Sequence, residues 1–329
     1  MVNVGYLILC VLILVGGFIL LSKGADAFVD GASSVAKRLR VSTMIIGMTV
    51  VAMGTSLPEL AVSLSASVKG SNEMAYSNVI GSNIFNLMLI CGLCAALVTL
   101  SIKKETLKRE FPFSIAVAGL LLLLGAVDGE VGRLDGLIML AVFAVFLWMQ
   151  IRSALKGRLK TAVEAAPGTT DEAGAAPEQK VLSPVRSVVY IVAGAAAIIL
   201  GGQLVVNSAS YIAGFFGMSQ TLIGLTIVAF GTSLPELMTS LAAAKKNDLD
   251  MALGNVIGSN VFNILMVLGF SAVASPVPVL DINTIDCIVL IAMSAIVLLF
   301  ALGKLIINRW QGVVMVAMYG AYIVYTCIR

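Results

Sequence analysis

Long apolar segments recur along the whole chain and are separated by short polar stretches. A helix that crosses a bilayer needs about 20 consecutive, mostly apolar residues, and windows of that length predict ten spans. The predicted ranges are 4–35, 42–69, 74–98, 111–127, 133–152, 186–214, 219–245, 250–274, 283–302 and 305–327. The pattern therefore predicts an all-α integral membrane protein.

One long polar stretch interrupts this pattern, at residues 154–184. It contains EAAPGTTDEAGAAPEQ and is rich in Ala, Gly, Pro and acidic residues. Because such a segment cannot bury enough apolar surface to fold, we expect a flexible linker. The linker divides the chain into a first five-helix half, 1–153, and a second five-helix half, 185–329.

Basic residues are distributed unevenly between the two sides of the predicted membrane domain. The loops after the first, third, fifth, seventh and ninth predicted helices hold most of the 21 Lys and Arg residues. The opposite side holds Lys69, Arg133 and Arg329. Because basic residues accumulate on the cytoplasmic side, we expect a cell-membrane protein with both termini outside and the linker in the cytoplasm.

Composition supports a membrane protein, since 59% of the residues are hydrophobic and only 12% are charged. Soluble domains carry about 25% charged residues. The net charge of +3 is too small to indicate a nucleic-acid partner. The five cysteines lie in apolar runs, where free cysteine behaves as a small hydrophobic residue. The lipid bilayer is thus the predicted surrounding, and no obligate protein partner is indicated.

Two segments of the chain, 42–98 and 219–275, are copies of one another. Both contain GTSLPEL and, further on, NVIGSN closed by Phe and Asn, and they align without a gap. Each copy occupies the second and third helices of a five-helix half. Since five is odd, the second half must enter the membrane from the opposite side. Inverted repeats are an architecture of secondary transporters, whose substrate sites lie near the bilayer midplane between the repeats.

The GTSLPE motif places a carboxylate, Glu59 or Glu236, deep inside an apolar helix. A charge at that depth is costly without a partner, and a bound cation is a natural one. Pro58 and Pro235 each remove a backbone donor, and Gly54 and Gly231 loosen the same turn. We therefore expect carbonyls without a helical partner, free for ions, near Ala52, Thr55, Ala229 and Thr232. The alternatives are a protonated glutamate that joins two helices and a kink that serves only packing.

The GSNxFN motif adds oxygen ligands on one helix face, because residues four apart are neighbours on a helix. Ser82 and Asn86 form one such pair, and Ser259 and Asn263 the other. Calcium binds 6–8 oxygen ligands, whereas zinc, copper and iron favour His or Cys. The chain has no His, so the motifs indicate a site for Ca²⁺ or Na⁺.

Two other groups of polar residues allow more than one interpretation. Lys23, Asp26 and Asp30 share one region of the first helix and form an interfacial charge patch or, less favoured, part of a gate. Asn78 and Asn255 begin the NVIGSN runs and either cap or kink those helices or bind an ion.

At these motifs the chain resembles the sodium/calcium exchanger branch of the cation/calcium antiporter superfamily, over nearly its whole length. The resemblance implies three sodium sites and one calcium site, with Glu59 and Glu236 as shared central ligands. It implies flanking ligands on both repeats: Thr55, Ser56, Ser82, Thr232, Ser233 and Ser259, with the carbonyls of Ala52 and Ala229. It also implies that the first and sixth helices move against the rest.

The chain departs from that family at Asn263, where many relatives have Asp. Two carboxylates are then the only acidic groups of the motifs, and potassium co-transport becomes less expected. The expected function is antiport, in which Na⁺ entering down its gradient drives Ca²⁺ out. Alternatives are a proton- or other cation-coupled exchanger on the same fold and a cation channel. No nucleophile–base pair or cofactor motif indicates an enzyme, and no cofactor is expected.

Overall fold

The computed structural model describes residues 4–68, 72–164, 181–217 and 229–328, and these are mainly helical. The helices are α1 (Val4–Leu39), α2 (Thr43–Thr55), α3 (Leu57–Val68), α4 (Asn72–Ile84, continued by Phe85–Ile90 and Cys91–Leu97), α5 (Thr106–Asp128), α6 (Arg133–Glu164), α7 (Pro184–Phe215), α8 (Ala229–Thr232), α9 (Leu234–Lys245), α10 (Leu249–Ala274), α11 (Asp281–Leu302) and α12 (Arg309–Ile328). The described ranges also contain four two-residue strands between helices: β1 (Leu100–Ser101), β2 (Glu130–Val131), β3 (Val277–Pro278) and β4 (Ile306–Ile307).

Within these residues, eight helices are long and apolar enough to cross a membrane. The pair α2 and α3, bent by 44° at the break between them, makes a ninth span. The predicted span 219–245 begins in residues 218–228, which lie outside the described part, and α8 and α9 are its described remainder. The predicted all-helical, multi-pass membrane fold is therefore confirmed.

Several predicted boundaries are wrong. The predicted span 42–69 corresponds to α2 and α3 together, with a break at Ser56 inside it. Helix α5 begins at Thr106, five residues before the predicted start, and α6 continues past the predicted end to Glu164. The α6 extension consists mostly of Lys, Arg, Leu, Ala and Glu, which favour helix even in polar surroundings. The helix therefore enters the range predicted as linker.

Helices α1 and α7 pack antiparallel along a row of glycines. A Cβ atom at Gly24 would lie 3.0 Å from the carbonyl oxygen of Gly194, and one at Gly17 would lie 3.1 Å from that of Gly201. Glycine lets two backbones approach this closely, as is common between membrane helices. The seam makes α1 and α7 one closely packed pair beside the repeats.

The inverted duplication is visible in the short strands. β1 follows α4 and pairs antiparallel with β4, which precedes α12. In the other half, β3 follows α10 and pairs antiparallel with β2, which precedes α6. Each repeat is thus joined by a strand pair to the last helix of the opposite half. The sequence analysis did not predict these strands, because two residues are too few for a recognisable apolar alternation.

The third helix of each half also packs against the last helix of the other half. Gly92 of α4 packs on the backbone of Gly312 in α12, and Gly269 of α10 packs against Gly136 in α6. The first repeat also packs directly on the second. A Cβ at Gly258 in α10 would lie 2.6 Å from the Cα of Met48 in α2. These contacts bring the two copies of the motif together in the interior.

Candidate cation site between the two repeats

The backbone of the two GTSLPE motifs breaks at the same serine in each half. Ser56 has φ −86° and ψ 8°, and Ser233 has φ −92° and ψ 6°. This region of backbone space is sparsely populated and recurs at functional sites. Helices α3 and α9 begin directly afterwards, so each glutamate stands in the first turn of a new helix. The break thus brings the Ser hydroxyl and the carboxylate into the interior from a helix end.

The prediction that the Ala52 carbonyl has no helical partner is wrong. The Ala52 oxygen accepts the backbone N–H of Ser56 at 3.0 Å and lies 3.4 Å from the Thr55 hydroxyl. The missing N–H of Pro58 concerns the carbonyl four residues before it, at Gly54, and leaves the Ala52 bond intact. In the second half, Ala229 is the first residue of α8.

The two halves exchange hydrogen bonds at the glutamates. The Ser56 hydroxyl donates to Glu236 Oε1 at 2.7 Å, and the Ser233 hydroxyl donates to Glu59 Oε1 at 3.0 Å. Both glutamates are 0% exposed. The second carboxylate oxygen of each, Oε2, is buried and has no hydrogen-bond partner among the described residues. A buried charge without a partner is strongly unfavourable, so the pair is suited to a cation.

Further hydroxyls line the same interior. Ser82 Oγ lies 3.1 Å from Ser233 Oγ, and the buried Ser259 Oγ has no hydrogen-bond partner within the described residues. Thr55 Oγ1 contacts Asn255 Oδ1 at 3.3 Å and the Val51 carbonyl at 3.2 Å. Thr232, which precedes Ser233, is only partly buried.

The two motif asparagines, Asn86 and Asn263, lie at π-helical segments, Phe85–Ile90 and Asn263–Leu268. Such segments often occur at functional sites. Both side chains are 0% exposed. Asn263 Nδ2 donates to Asn83 Oδ1 at 3.2 Å, and its Oδ1 is buried without a partner. Neither amide atom of Asn86 has a partner in the part of the chain described.

Hydrogen-bond distances link Ser56 to Glu236, and Ser233 to both Glu59 and Ser82. The predicted side chains that are buried belong to both repeats and are Thr55, Ser56, Glu59, Ser82, Asn86, Ser233, Glu236, Ser259 and Asn263. The described residues contain no cluster of three or more His, Cys, Asp or Glu side chains. The interior is therefore built mainly of neutral oxygens around two carboxylates, which suits hard cations such as Ca²⁺ and Na⁺.

Sequence reasoning missed the residues that join the two motifs. Asn83 Nδ2 donates to the Asn260 carbonyl at 3.1 Å, and Asn260 Nδ2 donates to the Asn83 carbonyl at 3.2 Å. Both lie inside GSNxFN and are repeated, which was the available signal. A single sequence does not reveal which of two adjacent polar residues faces the opposite repeat.

The ambiguous asparagines prove to lie within helices and to join helices. Asn78 Nδ2 donates to Ser63 Oγ at 3.0 Å, and Asn255 Nδ2 donates to Ser240 Oγ at 2.9 Å. Asn78 and Asn255 are interior residues of α4 and α10 and do not cap them. Each holds the helix that carries the glutamate against the helix that carries the GSNxFN motif.

The charged residues at the end of α1 meet the second repeat. Lys246 Nζ lies 2.8 Å from Asp30 Oδ1 and 3.8 Å from Asp26 Oδ1, and it donates to the Asp26 carbonyl at 2.7 Å. Asp248 accepts the Ser33 hydroxyl at 2.9 Å. The predicted patch is thus tied to the turn between α9 and α10.

Comparison with known proteins places this interior in context. The model of the sodium/calcium exchanger protein family matches residues 9–152 and 186–328. The sodium/calcium exchanger MaX1 of Methanosarcina acetivorans is 34% identical, with 98% of this chain and 99% of the relative covered. The inner membrane protein YrbG of Escherichia coli is 35% identical over 82% of this chain and 81% of its own.

A solved structure of the sodium-calcium exchanger NCX_Mj superposes on this fold with a TM-score of 0.82. The two chains are 34% identical, and the match covers 98% of this chain and 100% of the other. The match therefore spans both halves of this chain. On these grounds the chain belongs to the sodium/calcium exchanger protein family.

Proposed function

We propose that this protein exchanges Na⁺ for Ca²⁺ across the membrane by alternating access, with sodium entry driving calcium out of the cell. The observation that carries the proposal is the crossed pair of Ser–Glu hydrogen bonds, which leaves one oxygen of each buried carboxylate without a partner. Relatives and solved structures whose names specify sodium and calcium exchange support the choice of ions.

In this proposal, Glu59 and Glu236 are shared by all bound ions. Thr55, Ser56 and Ser82 complete the site from the first repeat, together with Asn86. Thr232, Ser233, Ser259 and Asn263 do so from the second, with the carbonyls of Ala52 and Ala229 as further ligands. The Ala52 oxygen accepts the Ser56 N–H and lies 3.4 Å from the Thr55 hydroxyl, so in this proposal an ion uses its second lone pair in place of that hydroxyl.

Calcium needs 6–8 oxygens in a flexible geometry, and the hydroxyls, amides and carboxylates of the two repeats supply that kind of donor. Two carboxylates neutralise one Ca²⁺ or two Na⁺, so a third sodium ion would leave the site with an excess positive charge. No His or Cys takes part in the proposed ligand set.

The orientation belongs to the same proposal, with the linker in the cytoplasm and both termini outside. The unequal distribution of Lys and Arg supports it. Cys327 is exposed near the C-terminus, while the other four cysteines are buried. An impermeant maleimide should therefore label Thr170→Cys, in a Cys327→Ser background that removes the exposed cysteine, only after permeabilisation. Labelling of Thr170→Cys in intact cells would overturn the orientation.

Calcium uptake by proteoliposomes loaded with sodium tests the function. Uptake should require a sodium gradient directed outwards and should stop when sodium is equal on both sides. Uptake driven instead by a proton gradient would indicate a proton-coupled exchanger. Calcium flux without any counter-ion gradient, at rates above those of a carrier, would indicate a channel.

A further inference from the structure

The amide of Asn263 is held at one end only. Its Nδ2 donates to Asn83 Oδ1 at 3.2 Å, while its Oδ1 is buried without a hydrogen-bond partner in the described residues. The segment that Asn263 begins packs against α3, which carries Glu59 in its first turn. The unpartnered oxygen therefore belongs to a segment in contact with the helix that bears a proposed ion ligand.

An amide can bind a cation only through its oxygen, because its nitrogen carries two hydrogens and no available lone pair. A side-chain amide that rotates by half a turn would present the nitrogen to the ion and repel it. A residue that accepts the Nδ2 hydrogens selects the orientation in which the oxygen is available. Asn83, which is buried in the opposite repeat, is such a residue, because its Oδ1 accepts the Asn263 Nδ2 hydrogen bond.

The side-chain nitrogen of Asn83 is itself held by the backbone of the opposite repeat. Asn83 Nδ2 donates to the Asn260 carbonyl at 3.1 Å, and the Asn83 carbonyl accepts Asn260 Nδ2 at 3.2 Å. With its nitrogen engaged in that bond, Asn83 can offer only Oδ1 to Asn263. The orientation of one amide thus determines the orientation of the next.

We propose that Asn83 is a positioning residue of the cation site, which acts through Asn263 by turning the Asn263 side-chain oxygen towards the bound ion. The inference rests on the proposed function, because it takes Asn263 as an ion ligand. It adds a role for a residue of the first repeat in orienting a proposed ligand of the second.

The other half of the motif provides a matched control. Asn260 occupies the same motif position as Asn83 and makes the same kind of bond to the opposite backbone. Its Oδ1, however, is buried without a partner, and Asn86 Nδ2 does not reach it. Replacement of Asn260 therefore removes a comparable buried amide without removing a contact to a proposed ligand.

A double-mutant cycle on the apparent KM for calcium tests the proposal, with sodium-loaded proteoliposomes of wild type, Asn83→Ala, Asn263→Ala and the double variant. The loss of one orienting hydrogen bond should raise the KM of Asn83→Ala about five- to tenfold, with less change in kcat. In the Asn263→Ala background the same substitution should raise the KM less than about twofold, because neighbouring residues that act through one another are not additive. Asn260→Ala should have a smaller effect than Asn83→Ala.

Equal effects of Asn83→Ala in both backgrounds would show a purely structural role and overturn the proposal. Equal KM values for Asn83→Ala and Asn260→Ala would overturn it as well. If Asn83→Ala does not purify as a monodisperse protein, Asn83→Leu, which keeps the volume, takes its place in the cycle. The two hypotheses fail in different ways, because absence of sodium-driven uptake by the wild-type protein would contradict the proposed function, whereas normal wild-type uptake with equal effects of Asn83→Ala in both backgrounds would contradict only the positioning role.

Discussion

Replacement of Glu59 by glutamine should abolish calcium exchange while leaving the protein folded. The Ser233 hydroxyl that donates to Glu59 Oε1 at 3.0 Å can donate equally to a glutamine oxygen, so the change removes charge and little else. Glu59 Oε2 has no hydrogen-bond partner within the described residues, and its replacement by an amide nitrogen therefore breaks no protein contact there. The matching substitution, Glu236→Gln, should behave in the same way.

The size of the effect follows from the burial of the carboxylate, which is 0% exposed. A carboxylate charge and a divalent ion about 2.4 Å apart attract by about 14 kcal/mol at an effective dielectric constant of about 20. Most of this attraction offsets the dehydration of both groups. Removing one partner of a buried charge pair has a net cost of about 3–5 kcal/mol. That cost corresponds to a loss of calcium affinity of about 100- to 4,000-fold.

Calcium uptake by sodium-loaded proteoliposomes measures this loss, with size-exclusion elution in detergent as the check on folding. Glu110→Gln is the matched control, because Glu110 is a largely buried carboxylate that accepts Gln150 Nε2 at 3.1 Å outside the proposed site. We expect Glu110→Gln to keep an apparent calcium KM near that of wild type. A Glu59→Gln protein with a KM within threefold of wild type would refute the assignment of Glu59 as a central ligand.

Three further predictions concern the coupling ratio, the charge patch of α1 and the row of glycines between α1 and α7. If three Na⁺ exchange for one Ca²⁺, calcium flux should change with a voltage imposed by potassium and valinomycin, since one charge experiences about 2.3 kcal/mol per 100 mV. A voltage-independent flux would exclude this coupling. In a separate potassium-free control the flux should persist. Lys246→Gln removes the ion pair to Asp30. In a Ser33→Cys protein it should increase labelling from the cytoplasmic side by about two- to fivefold, because a partly exposed ion pair contributes about 0.5–1 kcal/mol. Unchanged labelling would contradict the idea that this ion pair closes access to Ser33. Gly24→Leu should lower the thermal unfolding temperature in detergent, because a Cβ there would lie 3.0 Å from the Gly194 oxygen. Gly16→Leu is the control and should not lower it, because the space at that position is open. Equal unfolding temperatures of the two variants would contradict close packing of α1 on α7.

The sequence was most informative where polar residues repeat in apolar surroundings. Glu59 and Glu236 were predicted as partners in one site, and the structure brings each within hydrogen-bond distance of a serine from the opposite repeat. Polar residues at membrane depth need partners, so duplication alone indicated where those partners lie. The repeated motifs therefore indicate from sequence alone which residues are buried between the two repeats.

The sequence was less informative where the outcome depends on tertiary contacts. The lost hydrogen bond at Pro58 was assigned to the wrong carbonyl, and the Ala52 oxygen keeps its helical donor. The link from Lys246 to Asp26 and Asp30 was not predicted, since these residues are more than 200 positions apart and no local pattern joins them. Helix ends were shifted because polar helix formers continue an apolar span into water without a change of conformation.

The crossed strand pairs have a consequence for biosynthesis. β1 follows the first repeat, but its hydrogen-bonding partner, β4, is synthesised about 200 residues later. At about 5–20 residues per second, the ribosome needs about 10–40 s to supply that partner. During this interval the backbone groups of β1 lack their native partners. The first half therefore cannot complete its native hydrogen bonds on its own, and the final closure of each half waits for the other to enter the membrane.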